Sequence, residues 1–153
     1  GKPTLRAIAV DDLVARALRQ TGGTIRARAR LQVTPAPGVI VRAASALTVQ
    51  ILSAVLDNAA AASPDGGTGT VDIATSAEGE HVLVTITDDG PGVSPALAGL
   101  IFEAQLWQRP RDVGTGLAIA AHAVKAQGGT ISYRRAPGRG ACFTITLPRA
   151  TPA

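Results

Sequence analysis

Aromatic rings and sulfur are nearly missing from this sequence. One Trp, one Tyr, two Phe, one Cys and no Met stand among 153 residues. The single Cys142 excludes an internal disulfide and fits a reducing compartment, or one where thiols go unused. It sits in an alternating apolar run, so it reads as a packed thiol rather than a reactive one. With few rings available, the core must be built from Ala, Val, Leu and Ile. Apolar residues make up 46% of the chain, which suffices for a sizeable core and excludes a disordered chain. No uninterrupted apolar window of about 18 residues occurs, so no membrane span is expected. The most apolar stretch, 43–62, is broken by Ser45, Thr48, Gln50, Ser53, Asp57 and Asn58 and reads as a soluble helix. No signal peptide is expected at the chain's start. An opening Gly1 without an initiator Met suggests a piece excised from a larger protein.

The length suits a single domain. The formal charge of +4 rests on 15 Lys and Arg, of which only two are Lys. Arg26, Arg28 and Arg30 alternate with Ala27, Ala29 and Leu31, which predicts three guanidiniums along one face of a strand at 26–33. No aromatic residues interleave with them, so they read as a solvated face and no nucleic-acid partner is expected.

Residues 82–121 organise the rest. Val82, Val84 and Ile86 alternate with Leu83, Thr85 and Thr87, the period of a strand with one buried face, and Asp88 falls in step with the apolar set. A carboxylate therefore points inward at the strand's end. Gly90 and Gly92 follow, where the backbone can turn and a ligand can come close. Gly114-Thr115-Gly116 opens a helical run with Leu117, Ala121 and Val124 on one stripe. The first turn of such a helix can receive an anion. One acid and two glycine turns around a variable loop suggest a nucleotide pocket.

Around this centre, Asp11 and Asp12 are expected to cap a first helix that closes at Gly22-Gly23. Short strands at 26–33 and 39–42 should flank a turn at 35–38, and a helix should fill 44–62 with Leu47, Ile51, Leu52, Val55 and Ala59 on one face. Asn58 lies at the border of that face and Asp57 points away. A hairpin is expected at 71–88, with His81 at its turn, and a short helical piece from 94 to 102. Residues 103–113 read as a segment over the pocket or as a plain surface connection. A helix at 115–127 should stop at Gly128-Gly129. A final hairpin should turn at 136–140, with Ala141, Phe143, Ile145 and Leu147 facing inward and the chain frayed after Pro148. His81 and His122 read as non-catalytic.

In order, the pieces are DNAAAAS, DDGPGV, IFE, GTGLAIAAHAV and GRGACFTITLP. From about Val10 to Pro148 the chain resembles the ATP-binding catalytic domain of a bacterial sensor histidine kinase, of the wider class shared with DNA gyrase B and Hsp90. The resemblance implies a two-layer α/β sandwich, a mixed sheet covered on one face by about three helices, with nucleotide between the layers. It implies ATP and Mg²⁺ as ligands. Asn58 matches the asparagine that binds Mg²⁺, and Asp88 the acid that accepts a hydrogen bond from the adenine amino group. Gly90 and Gly92 match the positions that make room for the base. Gly114, Thr115, Gly116 and Leu117 match the second glycine box that faces the phosphates, and Ile101-Phe102-Glu103 matches the F-box. Gly138 and Gly140 match the last glycine motif. Arg109 and Arg111 are candidate phosphate contacts in a short lid.

The chain also departs from that pattern. The family has Asn or Glu four positions before the metal-binding asparagine, where this chain has Ala54. Without Glu no general base can activate water, which argues against a gyrase-like ATPase. Ala118 replaces a usual third glycine. The implied partners are the protein's own dimerisation and phosphoacceptor domain and a cognate response regulator. The expected setting is the cytoplasm, without direct membrane contact, and the isolated piece is expected to be a monomer. A non-catalytic nucleotide-sensing module of the same fold and an anti-sigma-factor-like serine kinase remain as alternatives.

Overall fold

The structure, a computed structural model, describes residues 3–63, 69–92, 101–102, 113–135 and 140–150, and within these no side chains for 113–115. The described elements are β1 (Arg6–Ala9), α1 (Val10–Arg26), β2 (Ala29–Val33), β3 (Ile40–Ala43), α2 (Ser45–Ala62), β4 (Gly69–Glu78), β5 (His81–Asp88), α3 (Val113–Ala126), β6 (Thr130–Arg135) and β7 (Ala141–Pro148). A five-stranded sheet runs in the order β2-β4-β5-β7-β6, and β1 pairs with β3 in a separate ribbon. The β2–β4 pair is parallel and the other pairs are antiparallel, so the main sheet is mixed as expected. The three described helices cover the face to which Val71, Ile73, Val84, Ile86, Phe143 and Ile145 turn. The two-layer α/β architecture is the one that the family resemblance implies.

Alternation along β5 places Val82, Val84, Ile86 and Asp88 in the buried set. Its neighbours match it in register: Ile86 lies between Ile73 and Phe143, and Asp88 between Val71 and Ala141. Cys142 is buried on the opposite face of the sheet, where it accepts a 3.5 Å hydrogen bond from Thr87 Oγ1.

Four local expectations are corrected. The first helix does not stop at Gly22-Gly23: α1 runs through both to Arg26, carrying Thr21, Gly22 and fully buried Ile25 into the core. Each glycine costs a helix about 1 kcal/mol, whereas burying an isoleucine side chain contributes about 1.5–3 kcal/mol and lies on a stripe already started by Leu13, Val14 and Ala17. The cap residue is Ala9, and Asp11 and Asp12 occupy the first turn, where they complement the helix dipole. Asp11 also accepts the Ala36 N–H at 3.0 and 3.1 Å, tying α1 to the β2–β3 turn. The arginine stripe is not a strand face, because Arg26 ends α1, Arg28 lies in the following turn and Arg30 alone of the three is on β2. The chain is not frayed immediately after Pro148. Arg149 donates its N–H to Glu80 O and Ala150 to Ile40 O, both at 2.8 Å, so Ala150 is held beside β3. The short β1 ribbon has no counterpart in the sequence reading.

Among the described residues α2 is long and apolar enough to cross a membrane by length and composition alone. Here it packs against α1, α3 and β5. Its N-cap, Ala44, offers no side-chain cap. The end of α3 compensates: buried Gln127 accepts the Ala44 N–H at 2.7 Å and the Thr48 hydroxyl at 3.1 Å through Oε1. The same end closes with Gly128 N–H to Lys125 O and Gly129 N–H to Val124 O, the paired bonds of a Schellman stop. Gln127→Ala should leave the Ala44 N–H without its acceptor, while the Thr48 hydroxyl keeps the Ala44 carbonyl oxygen at 2.9 Å. The expected loss is about 2 kcal/mol, or roughly 4–8 °C in Tm, read by thermal unfolding.

Candidate nucleotide-binding site

The site is built at the end of β5. Asp88 is 2% exposed although it ends a strand, because the sheet continues on both sides and the backbone folds back over it. Its Oδ1 accepts the Gly90 N–H at 2.9 Å, and the carboxylate also accepts a backbone N–H from Ala141. Burial raises the carboxyl's pKa above the ordinary range. The two N–H donors pull it down and the charge of Asp89 raises it further, with burial the largest influence. Oδ2 is buried and has no hydrogen-bond partner among the described residues. A buried acceptor left unpaired costs about 1–3 kcal/mol, so this oxygen is a place where a donor from outside the fold would be well received.

Two close backbone approaches hold the acid and the turn after it. A Cβ on Gly90 would overlap the Ala62 carbonyl oxygen at the end of α2, and one on Gly140 would overlap the Asp88 carbonyl oxygen. Gly140 also has φ of 114°, a conformation that other residues rarely adopt. The Asp89 carboxylate accepts the Thr70 N–H at 3.0 Å and fastens the turn to the start of β4. Thus Asp88 is held by three neighbouring elements while one oxygen is left over.

Asn58 lies half-buried one turn before Ala62, on the helix whose end meets Gly90. Asp57, its neighbour, is exposed, and burial still nudges its pKa upward. Across from α2, α3 begins at Val113, so Gly114 and Thr115 lie in its first turn. Gly116 faces Ala54: an added Cβ there would lie 3.8 Å from the Ala54 Cβ, so small residues on both helices let α2 and α3 come close. Leu117 is buried in the core. Ile101 is buried and Phe102 packs its ring edge-on against Phe143 at 6.1 Å. Arg109, Arg111, Glu103 and Gly138 lie outside the described residues, as does most of the short helical piece expected from 94 to 102.

The structure therefore brings Asp88, Gly90 and Gly140 into one contact set and joins α2 to it through Ala62. The sequence reading did not find the parts played by Ala62, Ala141 and Asp89. Two of these act through backbone atoms, which leave no signature in residue type. Asp89 could have been noticed as a second carboxylate beside the first.

Comparison with known proteins agrees with this geometry. The family described as histidine kinase-, DNA gyrase B- and HSP90-like ATPase matches residues 43–151. The sensor histidine kinase TmoS of Ectopseudomonas mendocina is 38% identical over 109 residues, covering 67% of this chain and 11% of that protein. The sensor protein KdpD of Mycobacterium tuberculosis is 32% identical over 99% of this chain and 18% of its own length. The chain thus spans less than a fifth of these relatives. Among solved structures, the mycobacterial sensor histidine kinase MprB superposes with a TM-score of 0.83 at 29% identity, covering 97% of this chain and 99% of that one. Full-length ShkA in complex with AMPPNP gives 0.83 at 26% identity, covering all of this chain and 33% of that one. The chain belongs to the histidine kinase-, DNA gyrase B- and HSP90-like ATPase family, in the form of the ATP-binding catalytic domain of a sensor histidine kinase.

Proposed function

We propose that this chain binds Mg-ATP between the end of β5, α2 and the start of α3. It would present the γ-phosphate to a histidine on a separate dimerisation and phosphoacceptor domain of the same protein. A response regulator would act downstream. The observation that carries this reading is the leftover Oδ2 of Asp88. Adenine offers its 6-amino group as a donor to such an acceptor, and at that same position guanine carries a carbonyl oxygen, which would be repelled. Gly90 and Gly140 keep side chains away from the turn where the base would lie. The first turn of α3 supplies free N–H groups and the positive end of a helix dipole to the phosphates. Arg109 and Arg111 are proposed as further phosphate contacts.

Among the described residues no group of three His, Cys, Asp or Glu could hold a metal. That suits an ion carried in with the nucleotide: Asn58 would supply one uncharged oxygen, and phosphates and water the rest. Mg²⁺ would contribute neutralisation of phosphate charge. What the chain itself does is bind, orient and shield, so that catalysis is mostly positioning. Ala54 offers no base for water, which favours transfer over hydrolysis. The proposed setting is the cytoplasm, and the proposed state of this piece is a monomer.

The test is calorimetric titration with ADP and with a non-hydrolysable ATP analogue, each with and without Mg²⁺, on the chain and on Asn58→Ala. Mg²⁺ should tighten the analogue about tenfold for the unaltered chain, the equivalent of one good ligand, and should do so much less for the variant. Affinity for Mg²⁺-free ADP should survive the substitution. Absence of binding by a folded chain would overturn the reading. Ala54 against Gly116 favours one other reading, a module in which nucleotide only sets conformation. Label transfer from ATP to an upstream histidine in the full-length protein would exclude it.

A further inference from the structure

We propose that Arg135, on the edge strand β6, is a positioning residue for the base-side loop 89–92; this inference rests on the nucleotide-binding reading above. Its guanidinium Nη2 donates a 2.7 Å hydrogen bond to the Pro91 carbonyl oxygen, joining residues 44 positions apart. The backbone beside Pro91 is pressed against the same hairpin. A Cβ on Gly92 would lie 3.1 Å from Gly140 O, 3.2 Å from the Tyr133 hydroxyl and 3.5 Å from Arg135 Cζ. Tyr133 is itself braced by Phe143, with ring centroids 5.3 Å apart.

These contacts complete the anchoring of the loop. Asp89 ties its first residue to β4, Gly90 abuts α2, and Arg135 takes hold at Pro91 from the other side. The Arg135 bond is exposed, so it adds little to global stability. It acts instead on the shape of four residues that must be in place before a base can lie against them. A loop held only part of the time binds with affinity reduced by the fraction of time it is correctly shaped. Because the loop is on the base side, the penalty should be the same for any adenine ligand, with or without phosphates.

The experiment measures adenosine and ADP binding to the unaltered chain, Arg135→Ala and Arg135→Lys, together with thermal unfolding of each. Arg135→Ala should weaken both ligands by the same factor, about three- to tenfold, as expected for loss of one solvent-exposed hydrogen bond, with Tm nearly unchanged. Arg135→Lys, which can still reach a carbonyl with one donor, should recover most of the loss. Equal affinities for Arg135→Ala and the unaltered chain would overturn the inference and leave the nucleotide reading standing. A loss confined to ADP would also overturn it, by assigning Arg135 to the phosphates. If the unaltered chain binds neither ligand, the nucleotide reading fails and takes this inference with it.

Discussion

Asp88→Asn is expected to reduce ADP and ATP-analogue affinity by about 100-fold or more while the fold survives. An amide oxygen can still accept the Gly90 N–H, so the turn keeps its internal bond. The amide nitrogen then occupies the place of Oδ2 and presents a donor to a donor. Losing the acceptor and leaving two buried donors face to face costs on the order of 3 kcal/mol, and each 1.4 kcal/mol is a factor of ten. Titration calorimetry reads the affinity, and circular dichroism shows whether the variant is folded. Undiminished ADP binding by a folded Asp88→Asn chain would remove Asp88 from the site.

The same carboxyl predicts opposite pH trends for the empty and the liganded chain. Its native pKa is raised, chiefly by burial. Its contribution to stability is therefore fully present below the unfolded value and is lost as pH rises through the native one. The ionised form weakens the fold, yet it is the form that accepts the base. Acidification from neutral pH should stabilise the unliganded chain relative to Asp88→Asn and weaken nucleotide binding over the same range. Paired unfolding and calorimetric series in mildly acidic buffers test the two signs together.

Phe143→Ala is expected to be the most destabilising change to the sheet, by about 3–5 kcal/mol and roughly 10 °C or more in Tm. Phe143 is fully buried on the sheet's covered face, on β7 beside the central strand β5, and touches both Phe102 and Tyr133. Its removal leaves a ring-sized gap and also takes away the packing partner of both of those rings. Cys142→Ala, one residue earlier and on the opposite face, should cost no more than about 1 kcal/mol, because a small side chain leaves a small gap. Similar unfolding temperatures for the two variants would place the core elsewhere than between this face and the helices.

Much of the fold is legible in residue type and spacing. Strict alternation in Val82–Asp88 and Ala141–Leu147 gave both the strands and the face they bury, because the pleat has a period of two and tolerates no slip. The inward carboxylate at Asp88 followed from that period. The helix of α2, the glycine stop after α3 and the hairpin at Gly79 were equally local in origin. What residue type could not convey was competition between a local preference and burial elsewhere. Gly22-Gly23 looks like a helix end until Ile25 is seen in the core. Arg26, Arg28 and Arg30 look like a strand until α1 claims the first. A four-residue strand such as β1 has no period to detect and exists only because β3 offers it an edge.

The site divides along the same line. By itself the sequence determined that an acid would end a buried strand, that glycines would follow it, and that a second glycine turn would open a helix. Tertiary structure alone decided that one carboxylate oxygen would be satisfied and the other left without a partner among the described residues. It also decided that Ala62 and Gly140 would close around the turn and that Arg135 would reach Pro91 from a distant strand. The physical reason is that these contacts are made to backbone atoms, which every residue carries alike, and only the path of the chain determines which of them meet.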